Sequence, residues 1–131
     1  MSQKTEFDVI VIGGGPGGYV TAIRAMQLGM SAAVVEREHL GGICLNWGCI
    51  PTKALLRAAE IKHNIAQAAD FGIEVSGNVT VNLQKVVERS RKVASRLSSG
   101  VAHLLKKNKV AVFDGTANIS GKSGANWVIS V

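Results

Sequence analysis

Two short apolar runs near the amino terminus flank a segment with helical spacing. Residues 7–12 (FDVIVI) are rich in β-branched side chains and have almost no polar position, which predicts a parallel strand buried on both faces. Residues 31–36 (SAAVVE) predict a second strand, and residues 19–28 (YVTAIRAMQL) predict a helix between the two. Strand, helix and strand in this order predict a right-handed βαβ unit.

The first predicted helix has an inner face and a defined end. Val20, Ile23 and Leu28 are spaced so that they would face the sheet. Gly29 follows directly and is suited to end the helix as a left-handed cap, because glycine adopts positive φ without steric cost.

Two further helices are predicted in the middle of the chain. Residues 53–69 continue a helix that Pro51 or Thr52 would open. A loop rich in turn residues follows, and Asn82 is then placed to cap a long helix that runs to about Lys107.

The long helix separates apolar from basic positions. Its apolar members recur at steps of three, four and seven residues, and are Val87, Ala94, Leu97, Val101 and Leu104. Its basic members form a second stripe, and are Lys85, Arg89, Lys92 and Arg96. A basic helix face is usually only solvated, and no aromatic interleaving or nucleic-acid motif accompanies this one. Despite a formal net charge of +6, the sequence therefore does not favour nucleic-acid binding.

Composition limits the class of protein. A chain of 131 residues with 47% hydrophobic composition suits one compact domain. We expect no signal peptide and no membrane span, because the first apolar run lacks a preceding basic segment and is broken by glycines from Gly13 onward. The expected compartment is therefore reducing, where a close cysteine pair is more often catalytic or metal-binding than structural.

The glycines after the first strand have the spacing of a dinucleotide-binding loop. Gly13, Gly15 and Gly18 match G-x-G-x-x-G between a predicted strand and a predicted helix. The glycines allow a tight turn, close approach of a pyrophosphate and close packing of the helix, whose first N–H groups face the phosphates. Glu36, at the end of the second strand, is placed to accept hydrogen bonds from ribose hydroxyls. A carboxylate there would repel a 2′-phosphate, so FAD or NAD is favoured over NADP.

The carboxy-terminal part returns to strand patterning. From Val110 onward apolar and polar residues alternate, with turn signals at 114–115 and 121–124, which predicts two or three antiparallel strands. The predicted fold is therefore α/β, a Rossmann-like dinucleotide-binding domain with a parallel sheet core and a carboxy-terminal antiparallel β-meander.

The chain has only two cysteines, and both lie in one short segment. Cys44 and Cys49 are close enough in sequence to form a disulfide, and Gly48 between them can adopt unusual backbone angles. Pro51 presets a helix start, so Cys49 would lie near a helix amino terminus with Lys53 one turn in. Both features favour the thiolate and would lower the pKa of Cys49.

Three interpretations of the cysteine pair remain open on spacing alone. The thiols could form a redox-active disulfide, they could be half of a zinc site completed by His39 or His63, or they could be buried structural residues. The zinc interpretation is the weakest because the two histidines lack the usual pairing pattern.

The segment GGICLNWGCIPTKALL, residues 41–56, resembles the redox-active segment of the flavoprotein disulfide reductases, G-G-x-C-x-N-x-G-C-x-P-[ST]-K. It follows the glycine loop at the distance usual in that family, and the resemblance covers essentially the whole chain. Leu45, Ile50 and the KALL run are similar to the branch that oxidises dihydrolipoamide; glutathione and mercuric reductases tend to differ there. Trp47 and Thr52 occupy positions where Val and Ser are also common.

The resemblance implies a role for each matching residue. Cys44 would be the interchange thiol, and Cys49 would lie against the flavin as a thiolate. Lys53 would stabilise reduced flavin, and Thr52 would contact flavin or phosphate. The adenosine diphosphate half of FAD would be bound by the remaining matching residues, which are Gly13, Gly15, Gly18, Glu36 and Gly42.

For the complete enzyme, the resemblance implies oxidation of dihydrolipoamide on the lipoyl domain of 2-oxo acid dehydrogenase complexes, with electrons passing through the disulfide and FAD to NAD+. It also implies a homodimer in the bacterial cytoplasm or the mitochondrial matrix, and no metal.

Because family members are far longer, we expect residues 1–131 to be the amino-terminal part of a FAD-binding domain, without the NAD and dimerisation domains and with little turnover of its own. Alternatives are another flavoprotein disulfide reductase, a non-catalytic dinucleotide-binding module, and a thiol-based redox sensor or metal-binding protein.

Overall fold

A computed structural model describes residues 6–131. The strands are β1 (Val9–Ile12), β2 (Ala32–Glu36), β3 (Ala111–Asp114), β4 (Asn118–Ser123) and β5 (Asn126–Ser130). The helices are α1 (Pro16–Gln27), α2 (Gly42–Asn46), α3 (Cys49–Ala66) and α4 (Leu83–Lys107), with a 3-10 turn at Ala68–Phe71. This arrangement confirms the predicted α/β fold.

The core of the fold is a parallel sheet in the order β1-β2-β3. In the central strand β2, Ala32, Ala33, Val34 and Val35 are buried, as the apolar run predicted. The prediction that the first strand is buried on both faces is wrong for the described chain. Strand β1 pairs only with β2 there and is half-buried, and Ile12 is exposed.

Helix α1 packs against β1 and β2 through its smallest side chains. Ala22 and Ala25 are buried, and Ile23 packs against the core as predicted. Val20 and Leu28 were predicted to face inward but are exposed. The helix contacts the sheet through the face that contains the two alanines, because their small side chains allow the closest approach. Gly29 has a φ of +86°, which confirms the left-handed helix end.

Helix α4 begins and ends where the sequence predicted. The Asn82 side chain accepts a hydrogen bond of 3.0 Å from the backbone N–H of Lys85, which is a standard amino-terminal cap. Helix α3, by contrast, begins at Cys49, before the predicted opening at Pro51 or Thr52.

The buried face of α4 differs in part from the predicted apolar stripe. Ala94 and Val101 are buried as predicted. The other predicted members are exposed, and are Val87, Leu97 and Leu104. Ser90 and Leu105 are buried in their place, because contacts with α1, α2, α3 and β3 set the orientation of the helix. The basic stripe is exposed, and Arg89 also donates to the carbonyl of Ala54 on α3.

The carboxy-terminal strands divide between two sheets. Strands β4 and β5 form the predicted antiparallel pair, with Ile119 opposite Ile129. Strand β3, which the alternating pattern grouped with them, instead pairs in parallel with β2, where Val112 is the partner of Val34. The long helix α4 makes this possible, because it returns the chain to the edge where a parallel strand can start.

Within residues 6–131, none of the helices combines the length and the apolar character needed to cross a membrane.

The buried face of α4 can be tested with two neighbouring leucines. Leu105 is 0% exposed and Leu104 is 44% exposed. We expect Leu105→Ala to lower the free energy of unfolding by about 2–5 kcal/mol, because it leaves a cavity in the core. The matched change Leu104→Ala should cost less than about 1 kcal/mol. Urea denaturation of both variants measures the difference, and equal losses would contradict the observed helix orientation.

Candidate functional site

A cleft of about 350 Å³ opens at the carboxyl ends of the three parallel strands. The cleft is lined by Ile12 and Gly13 at the end of β1, by Glu36 at the end of β2, and by Gly115, which directly follows β3. Ligands of open α/β sheets bind at this end of the strands. The cleft is therefore the candidate cofactor site.

The glycine loop at this cleft has the geometry that its spacing predicted. Gly13 has a φ of +103°, and its N–H donates to the carbonyl of Val35 at 2.8 Å. A Cβ on Gly18 would lie 1.9 Å from the carbonyl oxygen of Gly13, so only glycine lets α1 pass this close to the turn. Helix α1 starts at Pro16 with no capping side chain, which leaves first-turn N–H groups available to an anion.

Glu36 connects the end of β2 to the glycine loop. Its Oε2 accepts a hydrogen bond of 2.7 Å from the backbone N–H of Gly14, and its Oε1 accepts one of 2.9 Å from Glu38. Desolvation raises the pKa of this carboxyl, but the backbone N–H groups of Gly14, Glu38 and Arg37 together lower it below its ordinary value of 4.5. The side chain is therefore ionised at neutral pH and lines the cleft.

A second pair of glycines brings the cysteine segment to the same loop. Gly41 and Gly42 have φ values of +94° and +56°. The N–H of Gly41 donates to the carbonyl of Gly14 at 2.8 Å. A Cβ on Gly42 would lie 2.9 Å from the Cα of Gly15, so the two backbones approach too closely for a side chain on Gly42. Gly42 begins α2, the helix that carries Cys44.

The two cysteines lie on either side of a tight turn between α2 and α3. Gly48 makes this turn: its N–H donates to the carbonyl of Ile43 at 2.6 Å, and a Cβ on it would lie 3.4 Å from the Cα of Cys44. Both cysteines are free thiols; Cys44 is half-buried and Cys49 is exposed. A hydrogen bond with Cys49 and desolvation raise the pKa of Cys44 above its ordinary value, and the charge of Lys53 opposes them.

The first turn of α3 contains the remaining predicted site residues. Cys49 is the first residue of the helix, near its amino terminus as expected. Thr52 and Lys53 follow and are exposed, and the N–H of Thr52 donates to the carbonyl of Gly48 at 3.1 Å. Cys49 and Lys53 therefore share the exposed first turn of α3, and Cys44 precedes them on α2. Of the predicted site residues, Gly13, Glu36 and Gly42 line the cleft. The roles of these residues stay predictions.

The zinc interpretation finds no support in the arrangement of side chains. Among residues 6–131, histidine, cysteine and acidic side chains form no group of three or more that could hold a metal ion. The ring of His39 instead packs against the ring of Trp47, with centroids 5.4 Å apart.

Sequence reasoning assigned no role to several residues of the site. Gly41 and Asn46 lie at fixed positions of the cysteine motif, and this was a signal that could have identified them. Gly115–Ala117 form a wall of the cleft from after β3. Nothing local marks these residues, because they reach the cleft only through the parallel pairing of β3.

Comparisons with known proteins match the chain to one family. Residues 7–127 match the family model described as pyridine nucleotide-disulphide oxidoreductase. A dihydrolipoyl dehydrogenase of Rhizobium etli is 57% identical over 88% of the chain and 24% of its own length. Those of Zymomonas mobilis and Bacillus subtilis are 58% and 53% identical over 88% and 92% of the chain, and over 25% of their own lengths. The chain thus spans about a quarter of the length of these curated relatives.

Two neighbouring glycines test the close approach in the glycine loop. Gly18→Ala would place its Cβ against the Gly13 carbonyl, whereas a Cβ on Gly17 would meet no atom within 4 Å. We expect Gly18→Ala to destabilise the fold by several kcal/mol, in the upper range of single substitutions. Gly17→Ala, in the first turn of α1, should leave stability unchanged or raise it by about 0.4–1 kcal/mol. Thermal unfolding measures both, and a stable Gly18→Ala variant would contradict the contact.

The ionised state of Glu36 predicts a pH dependence. Because the folded-state pKa lies below the ordinary value of 4.5, the carboxylate stabilises the fold at neutral pH, and this contribution is lost as the pH falls through the folded pKa. Glu36→Gln should therefore cost roughly 1 kcal/mol at pH 7, and the difference from the unsubstituted chain should shrink in acid. Urea titrations from pH 7 to 3 measure it, with Glu38→Gln as control. A pH-independent difference would contradict the assignment.

Proposed function

The chain belongs to the pyridine nucleotide-disulphide oxidoreductase family, and we propose that it is the FAD-binding part of a dihydrolipoyl dehydrogenase. One observation carries the proposal: the turn that begins α2, the helix of Cys44, packs against the glycine loop. A Cβ on Gly42 would lie 2.9 Å from the Cα of Gly15. The segment that contains the thiol pair is thereby in direct backbone contact with the glycine loop.

The cleft and its surroundings fit FAD. A Cβ on Gly13 or Gly17 would meet nothing within 4 Å, so the loop leaves open space beside uncapped helix N–H groups. Gly13, Gly15 and Gly18 would hold the pyrophosphate at that helix end, and Gly42 would let the backbone approach it. The ionised Glu36 would accept hydrogen bonds from the ribose hydroxyls. When bound, FAD supplies two-electron transfer between the reduced cysteine pair and NAD+.

The cysteine pair would carry out thiol–disulfide exchange. In the oxidised state, a substrate thiolate attacks the sulfur of Cys44, the Cys44–Cys49 bond breaks, and Cys49 leaves as a thiolate. The second substrate sulfur then attacks the first one, and the bond between the first substrate sulfur and Cys44 breaks. The two substrate sulfurs are now joined as the disulfide of lipoamide. Two electrons have moved to the cysteines, and the proton of the second substrate thiol remains with Cys44. The raised pKa of Cys44 favours keeping that proton.

Cys49 and Lys53 are suited to the other side of this exchange. Cys49 is exposed at the amino terminus of α3 and would be the thiol that faces the flavin. Lys53 lies one turn further along the same helix and would stabilise negative charge on the reduced cofactor. Thr52, between them, would donate a hydrogen bond to the flavin or to a phosphate.

The rest of the activity requires residues beyond this chain. We propose that residues 1–131 are the amino-terminal part of the FAD-binding domain, and that NAD+ binding and dimerisation belong to other parts of the protein, since the relatives are about four times as long. The complete enzyme would be a cytoplasmic homodimer acting on dihydrolipoamide attached to a 2-oxo acid dehydrogenase complex. The chain alone would reduce NAD+ very slowly, because no base from a partner subunit takes up the substrate proton.

The proposal is tested by the visible spectrum of the chain with one equivalent of FAD, recorded without oxygen during titration with a dithiol. We expect a long-wavelength shoulder on partial reduction, because the Cys49 thiolate would lie against bound FAD. Cys44→Ser should keep the shoulder and Cys49→Ser should abolish it, and the two serine variants are matched controls for each other.

A spectrum that stays that of free FAD in the unsubstituted chain would contradict the proposal that residues 1–131 bind the cofactor. A shoulder that survives in Cys49→Ser would contradict the assignment of the two thiols.

A further inference from the structure

The side chain of Asn46 closes the turn at the start of α2, which is the turn that contacts the glycine loop. Its amide nitrogen donates to the carbonyl of Leu40 at 3.1 Å and to the carbonyl of Gly42 at 2.9 Å. These two carbonyls lie on either side of Gly41, so the amide spans the turn. Both hydrogens of the amide are used, and the side chain is half-buried.

Helix α4 supports the same turn from outside. The hydroxyl of Ser98 donates to the carbonyl of Leu40 at 2.5 Å, so this oxygen accepts from both Ser98 and Asn46. The guanidinium of Arg91 donates to the backbone carbonyl of Asn46 at 3.0 Å. Residues far apart in sequence therefore hold both ends of α2.

The turn that Asn46 closes has two neighbours that matter for the proposed chemistry. On one side, Gly41 donates to the carbonyl of Gly14 and Gly42 meets Gly15. On the other side, α2 continues directly to Cys44, whose thiol interacts with Cys49. A displacement of this turn would therefore move both the backbone beside the phosphates and one of the two thiols.

We propose that Asn46 is a positioning residue, which holds Gly42 against the glycine loop and Cys44 beside Cys49 through its two hydrogen bonds to the carbonyls of Leu40 and Gly42. The part that concerns FAD rests on the proposed function. The part that concerns the thiols does not.

The chemistry of the site requires an amide or an equivalent double donor. An aspartate of the same shape would offer only acceptors to two carbonyl oxygens, and alanine would leave both carbonyls with fewer partners. A serine can donate to the carbonyl four residues earlier in a helix, which here is that of Gly42, but it is too short to span the turn to Leu40. Asn46→Ser should therefore keep part of the positioning effect that Asn46→Ala loses.

The first measurement is FAD affinity, obtained by titrating the chain and following flavin fluorescence. We expect Asn46→Ala and Asn46→Asp to weaken binding about tenfold or more, with Asn46→Ser between them and the unsubstituted chain. The matched control is Asn108→Ala, because the Asn108 amide also donates to a carbonyl four residues earlier, that of Leu104 at 2.8 Å, at the far end of α4. This variant should keep the unsubstituted affinity.

The second measurement needs no cofactor. Alkylation by iodoacetamide is followed separately at each cysteine by mass spectrometry. We expect Asn46→Ala to increase the rate at Cys44 several-fold, because the half-buried thiol would become more exposed when α2 is displaced. Asn108→Ala should leave that rate unchanged. If the unsubstituted chain fails to bind FAD, the proposed function of the chain fails, and this second measurement still decides the role of Asn46.

Ser98→Ala shows whether the two donors to the Leu40 carbonyl act together. We expect its effect on the Cys44 rate to be smaller than that of Asn46→Ala, and the double variant to differ from the sum of the two single changes. If Asn46→Ala does not fold, the same two measurements on Asn46→Ser decide the question. FAD affinity and Cys44 reactivity that both remain within twofold of the unsubstituted chain in Asn46→Ala and Asn46→Ser would overturn the proposal.

Discussion

The contact between two glycine-rich turns is the constraint on which the rest of the site depends. Gly42 meets Gly15 at a distance that excludes a side chain on Gly42, and the N–H of Gly41 donates to the carbonyl of Gly14. One turn belongs to the glycine loop after β1 and the other begins the helix that carries Cys44. Because the two backbones are in close contact, this contact sets where α2 and Cys44 lie relative to the cleft.

Glu36 is a single side chain that both stabilises the fold and lines the candidate cofactor site. Its carboxylate is held by backbone N–H groups of Gly14 and Glu38, and these bonds keep it ionised beside the cleft. A ribose would find an acceptor whose orientation is already fixed, so little conformational entropy would be lost on binding. The same bonds help to hold the glycine loop against the end of β2.

Helix α4 has two functions that its sequence pattern does not separate. Its buried residues cover the sheet and α1, and the largest of them is Leu105. Its polar residues Arg91 and Ser98 reach carbonyls at both ends of α2, which lies more than forty residues away in sequence. The long helix thus acts as a support for the cysteine segment as well as a part of the core. The basic stripe of the same helix remains in solvent.

The sequence alone determined the βαβ unit, the glycine turn, the position of Glu36 and the ends of α4, because each depends on a local rule of spacing, capping or backbone freedom. It could not determine which faces are buried. Val20 and Leu104 have the spacing of core residues but are exposed, because small alanines and Leu105 make the closest contacts. It also could not identify β3 as a parallel strand.

Tertiary structure decided these points because they depend on contacts between distant segments. Strand β3 pairs with β2 only after α4 has crossed the domain, and this pairing brings Gly115 to the cleft. Asn46 occupies a motif position that the sequence could mark. Its two acceptors, however, become adjacent only when Gly41 adopts positive φ and the turn closes on the glycine loop.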